Sequence, residues 1–208
     1  MAKILSVMRL LLKVLDSLLV MIVTYLPGGF GNYLRYRYYK KKLGHLGEGS
    51  RIDQGVIIAN PKKVSIGDHT WIDKNVIILG DKGVEIGKRV HVAQNCLIQG
   101  GGTLKIGDYV SVASGSLVYS ATDTVFGGKG TNPMFPPEYR NPVARRRVVL
   151  GNHAFVGART VIILASLGEG SVVGAGSVVT KDISAWKIAV GAPARPIKDR
   201  PPVTLKDI

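Results

Sequence analysis

Residues 86–118 read IGKRVHVAQNCLIQGGGTLKIGDYVSVASGSLV. Two aliphatic-glycine pairs, Ile86-Gly87 and Ile106-Gly107, stand twenty residues apart, and each is followed at steps of six by Val92 and Ile98, then Val112 and Val118. The register extends backward to Ile66-Gly67 with Ile72 and Ile78, and to Leu46-Gly47 with Ile52 and Ile58. A period of six is neither the 3.6 of a helix nor a lone half-buried strand. It is three times two, so one residue in six points inward from a short strand. Three such strands with two residues of slack close a coil of roughly twenty residues, and stacked coils make a solenoid. The expected fold class is therefore all-β, a parallel β-helix of about six coils, with each glycine supplying the positive φ of a corner.

Toward the C-terminus the ladder ends in Val173-Gly174-Ala175-Gly176-Ser177-Val178-Val179-Thr180-Lys181-Asp182, and then in Gly191-Ala192-Pro193-Ala194-Arg195. Together with the hexads, these motifs resemble the hexapeptide-repeat acyltransferases over about Leu46 to Arg200. The resemblance implies a left-handed parallel β-helix, a homotrimer, and acetyl-CoA or a related acyl donor as co-substrate.

The chain has 208 residues, 28 Lys plus Arg against 14 Asp plus Glu, and a formal net charge of +14. Such a balance points to an anionic partner. The single cysteine, Cys96, excludes an intramolecular disulfide framework and reads as a small buried filler. Ile4 to Leu26 is strongly apolar, yet Ser6, Arg9, Lys13, Asp16, Ser17 and Thr24 share one narrow face at helical spacing. That pattern fits a helix lying in a membrane surface; a spanning helix would carry its charges through hydrocarbon. Phe30 to Leu43 interleaves Tyr33, Tyr36, Tyr38 and Tyr39 with Arg35, Arg37, Lys40, Lys41 and Lys42. Beside an apolar anchor these residues suit an anionic headgroup layer better than nucleic acid, for which no motif is present. Three segments follow: 1–43, amphipathic and membrane-associating; 44–185, the β-helix with an inserted loop at 119–149; and 186–208, a C-terminal tail.

After Ile106 the next aliphatic-glycine pair is due at position 126 and arrives at Leu150-Gly151, an insertion of 24 residues. Long loops on rigid scaffolds concentrate function, so this is the candidate active-site loop. The coil beyond it, from Leu150 to Leu167, is one residue short of three hexads. Sugar O-acetyltransferases of the family often carry a Ser-x-x-His stretch where this loop begins; here it reads Ser120-Ala121-Thr122-Asp123. The chain is similar to a subgroup in which Tyr119-Ser120, Asp123, Thr131-Asn132-Pro133, Pro136 with Tyr139, and a downstream His153 occur together. That similarity implies His153 as general base, oriented by Asp123. Asn132 would stabilise the oxyanion, and Ser120, Tyr139 and Arg140 would line the acceptor site. His45, His69 and His91 read as surface or subunit-facing, and no metal constellation is visible.

By the same resemblance the acyl-CoA runs past Gly157, Ala158, Ala175, Gly176, Ser177 and Ala192, with Lys181, Arg195 and Arg200 meeting its phosphates. The expected activity is acetyl-CoA-dependent O-acetylation of a sugar in surface-polysaccharide or lipid-linked oligosaccharide assembly, at the cytoplasmic face of the plasma membrane. Amino-sugar N-acetylation is an alternative. A catalytically silent trimeric scaffold for a membrane glycosyltransferase or polymerase is another, favoured by the absent loop histidine.

Overall fold

A computed structural model describes residues 2–203. Two helices precede a seven-coil parallel β-helix of triangular section, one coil more than the repeat count predicts. The first face stacks His45–Leu46, Val64–Ile66, Val84–Ile86, Leu104–Ile106 and Val148–Leu150, extended by bridges at Leu167 and Ile183. The second stacks Arg51–Ile52, Trp71–Ile72, His91–Val92, Ser111–Val112, Phe155–Val156, Val172–Val173 and Lys187–Gly191. The third stacks Ile57–Ala59, Ile77–Leu79, Leu97–Gln99, Leu117–Tyr119, Val161–Ile163 and Val178–Val179. Edge one joins the first face to the second, edge two the second to the third, and edge three the third to the next coil's first.

Every hexad aliphatic but one points into this prism: Leu46, Ile52, Ile66, Ile72, Ile78, Ile98, Ile106 and Leu150 are fully buried, whereas Ile58 is only partly so. Burying each such side chain contributes about 1.5–3 kcal/mol, which is what holds the register. Cys96 is buried in the same core, its thiol bonded to the Ala113 carbonyl at 3.2 Å.

The glycine of each pair has a different role from the one expected. Gly47, Gly67, Gly87, Gly107 and Gly151 do not take positive φ; two residues later, Gly49, His69, Arg89, Tyr109 and His153 do. The glycines instead make room for the next coil, since a Cβ on Gly67 would sit 2.7 Å from the Gly87 carbonyl carbon.

The expected C-terminal tail is largely structured: Lys187–Gly191 completes the seventh coil, and Ala194–Asp199 folds back on it as an antiparallel strand. Residues 204–208 and the side chains of Ser6, Arg9 and Lys13 lie outside the described residues.

Helix α1 (Ala2–Tyr25) and helix α2 (Gly28–Lys42) are separated by Leu26-Pro27, where the proline removes a donor. Helix α2 closes the open end of the β-helix, so part of the 30–43 segment turns inward while the rest stays in solvent. Arg35 is 1% exposed. Its guanidinium donates to the carbonyls of Val23 (3.1 Å) and Leu26 (2.7 Å) at the end of α1 and of Ile52 (2.8 Å) in the first coil, and also to Asn32. One side chain thereby satisfies carbonyls that a helix terminus leaves without partners. Tyr39 donates to the Val56 carbonyl, and burial pushes its phenol up to about 12. Tyr33, Arg37, Lys41 and Lys42 face solvent.

Helix α1 touches the β-helix through its last turn, where Val23 and Thr24 are buried and the Thr24 carbonyl accepts from the Gly55 amide. Val7, Met8, Leu11, Val14, Leu15, Leu18, Leu19, Met21 and Ile22 are exposed. Among the described residues, no helix is long and apolar enough to cross a membrane.

Replacing Arg35 by Leu strands three carbonyls, two of them in buried hydrogen bonds, and is expected to lower the unfolding free energy by at least about 2 kcal/mol. Arg37→Leu on the exposed side of the same helix should change it by about 0.5 kcal/mol or less. Equal denaturation midpoints for the two variants would refute the anchoring role.

Candidate active site

The insertion leaves the β-helix at edge three. Immediately after Leu117–Tyr119 the chain turns at Ser120, a residue expected to touch the acceptor. Ser120 is instead fully buried: its hydroxyl donates to the Gln99 carbonyl (2.8 Å) and accepts from the Gly102 amide (3.0 Å), which roots the loop. Ala121–Asp123 then pairs antiparallel with Val143–Arg145 to form a hairpin that projects from the prism. Buried Asn141 ties the hairpin to the tip, donating to the carbonyls of Thr124 (3.0 Å) and Lys129 (2.9 Å). At the tip, Asn132 accepts from the Met134 amide (2.9 Å) and Arg140 donates to the Pro133 carbonyl (2.9 Å). Exposed Tyr139 ends a short turn at Pro137–Tyr139. Asp123, Thr131, Arg140, Asn141 and Arg145 line a concavity of about 370 Å³. Of the residues expected in the catalytic and acceptor sites, the fold brings Asp123 and Arg140 together there.

The returning strand is clamped. Arg146 donates to the Leu164 carbonyl (2.9 Å) and pairs with both carboxylate oxygens of Asp182 (2.8 and 2.6 Å). The hydrogen bonds from Arg146 hold the Asp182 carboxyl below its ordinary value. The upper coils shorten to make this possible. Partners on the second face are twenty residues apart below the insertion, but Phe155 pairs with Val172 and Val172 with Ile188. The residues lost come from edge three, where lower coils carry a wider turn.

His153 occupies another edge. It holds φ 59° on edge one, in the same column as His69, Arg89 and Tyr109, and its ring stacks on Tyr109 with centroids 5.1 Å apart. Edge one and the hairpin at edge three are separated by the first face, so one chain does not bring His153 and Asp123 together. Arg200, expected at the acyl-CoA phosphates, donates to the carbonyls of His153 and Gly170, both at 2.9 Å. It pins the end of the chain to edge one.

The other residues expected at the donor site gather mainly on edge two of the upper coils. Gly157 lies there beneath the backbone of Gly174-Ala175, which leaves no room for a Cβ. Ser177 is buried and accepts from the Gly191 amide. Both are thus occupied in building the edge. Ala175, Gly176, Ala192 and Arg195 are exposed, Ala158 is half-buried, and Gly176 has open space where a side chain would be. The result is a shallow rail of small residues with Arg195 beside it. Lys181 stands on edge three, next to Asp182.

One constellation escaped the reading of the sequence. His91 Nε2 lies 2.9 Å from Asp73 Oδ2 on the second face. The two are eighteen apart, and the signal was present: the twenty-residue register stacks 91 over 71 and sets residue 73 beside them. Among the described residues, no group of His, Cys, Asp or Glu could hold a metal ion.

Residues 63–100 and 147–181 match the family model described as the hexapeptide repeat of succinyl-transferase. AntD, an N-acyltransferase from Bacillus cereus solved with dTDP and 3-hydroxybutyryl-CoA, superposes with a TM-score of 0.75 at 32% identity, covering 80% of this chain and 88% of AntD. The chain belongs to the hexapeptide-repeat acyltransferases. Its β-helix is the left-handed one of that family. A hexapeptide-repeat acetyltransferase of Vibrio cholerae, solved with acetyl coenzyme A, shares the fold (TM-score 0.58, 23% identity, covering 90% of this chain and 85% of that one). The dTDP-4-amino-4,6-dideoxy-D-glucose acyltransferase of Escherichia coli is 36% identical over 84 residues, 40% of this chain and 43% of that protein. The chain thus spans less than half the length of that curated relative.

Asp182→Asn removes the anion that clamps the loop return. Proteolytic cleavage within residues 124–135 should become several-fold faster while the β-helix stays intact. Because the Asp182 pKa is depressed, the clamp is fully present above the ordinary carboxylate range and is lost as pH falls through the lower, folded value. Cleavage by an acid-stable protease should therefore accelerate only below that range, and an unchanged cleavage rate in Asp182→Asn would show that the loop return is held without this ion pair.

Proposed function

We propose that the protein transfers an acyl group from acyl-CoA to the amine of a nucleotide-linked amino sugar. The observation that carries this reading is the rail of small exposed residues at Ala175-Gly176 and Ala192, flanked by Arg195, on the upper coils of a chain similar to AntD over most of its length. Side chains that end at Cβ allow a slender pantetheine arm to run against backbone, and a guanidinium beside them suits a phosphate. The loop concavity containing Asp123 and Arg140 supplies the acceptor side.

In the reaction the acceptor nitrogen attacks the thioester carbonyl, the carbonyl π electrons move to oxygen, and collapse of that oxyanion expels the CoA thiolate. The nitrogen's proton goes to a base, and the thiolate is protonated to CoA-SH. A neutral amine is nucleophilic enough that the base has modest work to do. Asp123, exposed at the mouth of the concavity, takes that proton. With His153 as base the same chemistry would serve a sugar hydroxyl, the acceptor first expected; the amino-sugar relatives favour the amine.

His153 and Asp123 lie on different edges of one chain, so we place the working site between copies, in a homotrimer where the hairpin of one subunit reaches an edge of its neighbour. Helix α1 serves as a monotopic anchor on the cytoplasmic face of an anionic membrane: its exposed leucines enter the interface, and the solvent-facing Arg37, Lys41 and Lys42 of α2, the next helix in the chain, add positive charge.

Calorimetric titration of acetyl-CoA into the full-length protein should give micromolar binding that Ala175→Trp abolishes. Asp123→Asn should lower kcat for transfer to a dTDP-linked 4-amino sugar by about 10²-fold or more with acetyl-CoA affinity retained. No acetyl-CoA binding would leave the scaffold reading in place. Flotation with vesicles containing anionic lipid should carry the full chain and not a chain lacking residues 1–26; equal flotation of both would remove the membrane role of α1.

A further inference from the structure

The second face of the lower coils carries a built surface that neither the donor rail nor the loop uses. Parallel pairing stacks Arg51, Trp71, His91 and Ser111 in one outward column. The Trp71 side chain is half exposed, an unusual place for a large aromatic on a β-helix face. Its ring is held on two sides. The Arg51 guanidinium lies 5.8 Å from the ring centroid, and the His91 ring meets it edge-on at 6.5 Å. Each of these neighbours is oriented by a carboxylate: Arg51 is bidentate to Asp53 (2.7 and 3.0 Å), and His91 is bonded to Asp73 (2.9 Å). Asp53 is itself largely buried. Arg51, Trp71, Asp73 and His91, with His69 and Arg89 from edge one, line a concavity of about 520 Å³.

A rigid, exposed aromatic plane with one arginine beside it and a second, Arg89, lining the same hollow is a surface for a planar ring carrying negative charge. The flanking carboxylates rule against a simple polyanion, since Asp73 faces the same hollow. We propose that this concavity is a nucleotide subsite: the base of a nucleoside diphosphate lies against Trp71, and its phosphates meet Arg51 and Arg89. The inference rests on the acyltransferase reading and extends it by saying where the nucleotide handle of the acceptor is held. The second face then works as a ruler. Successive rungs are about 4.8 Å apart, so the Trp71 rung lies four rungs, about 19 Å, below the Val172 rung that precedes the rail at Ala175-Gly176. A nucleotide held at Trp71 leaves its sugar pointing up that face toward the acyl group.

The two tryptophans make the test direct. Trp186 packs over Gly170 on edge one, so Trp186→Phe leaves Trp71 as the lone reporter. Titration of dTDP into that full-length variant should quench its fluorescence. Trp71→Ala in the native background should weaken dTDP binding, followed by calorimetry, roughly tenfold or more, whereas Trp71→Phe retains binding. Arg89→Ala should weaken it several-fold, with a shallower salt dependence, and inorganic pyrophosphate should compete far more weakly than dTDP. Absence of dTDP binding, unchanged affinity in Trp71→Ala, or a change in oligomeric state on sedimentation of Trp71→Ala would each overturn the subsite; the last would make this column a contact between copies. The two readings also fail separately. Acyl transfer with an acceptor KM indifferent to Trp71→Ala sinks the subsite alone, and Trp71-dependent dTDP binding without acyl transfer sinks the enzyme alone.

Discussion

Every level of this structure depends on main-chain hydrogen bonding between coils. The amides of Gly47, Gly67, Gly87, Gly107, Gly151 and Gly168 donate to the carbonyls of Ile66, Ile86, Ile106, Leu150, Leu167 and Ile183 in the coil above. A solenoid edge has no solvent-facing alternative for these groups once the aliphatics are packed, so each coil must sit in register with the next. The glycine after each aliphatic follows from that demand, because the neighbouring backbone occupies the volume a Cβ would need. Short polar side chains complete the ladder: Asp68, Asp108 and Asn152 accept from the amides of Glu48, Lys88 and Asp108.

A scaffold of this rigidity separates support from function. Positions that point inward or bond across coils are committed to the prism, and Ser120, Ser177 and Arg200 prove to be of that kind although their residue types suit binding. Positions free to act are those that stand on edges or outward columns: the Ala175-Gly176 rail, the Asp123 hairpin, and Trp71 with its flanking charges. The shortened upper coils belong to the same logic, since removal of residues from edge three lets Arg146 reach both Leu164 and Asp182 and fixes the direction of the loop.

The N-terminal segment shows how one composition divides into two environments. Arg35 and Tyr39 turn inward to close the first coil, which a bare β-helix would leave with an open apolar end. Tyr33, Arg37, Lys41 and Lys42 on the other side of the same helix stay in solvent. Interleaved charge and aromatic residues said nothing by themselves about which would be which, because the helix faces are set by the end of the prism against which they pack.

From sequence alone, the period of six determined the β-helix, the inward aliphatics, the place of the insertion and the buried role of Cys96, because a repeated backbone path leaves its period in the residues that face the core. The resemblance to the family, and not the periodicity, pointed to Ala175-Gly176 and Ala192 as the proposed donor rail. Only the tertiary structure decided which edge each polar residue occupies. His153 and Asp123, thirty residues apart and paired by type, fall on different edges, while Asp73 and His91, not paired by the reading of the sequence, meet across one coil. Periodicity fixes the distance between coils along the axis, but the direction of a side chain around the axis depends on how many residues each corner consumes, and those corners are set by packing rather than by residue type.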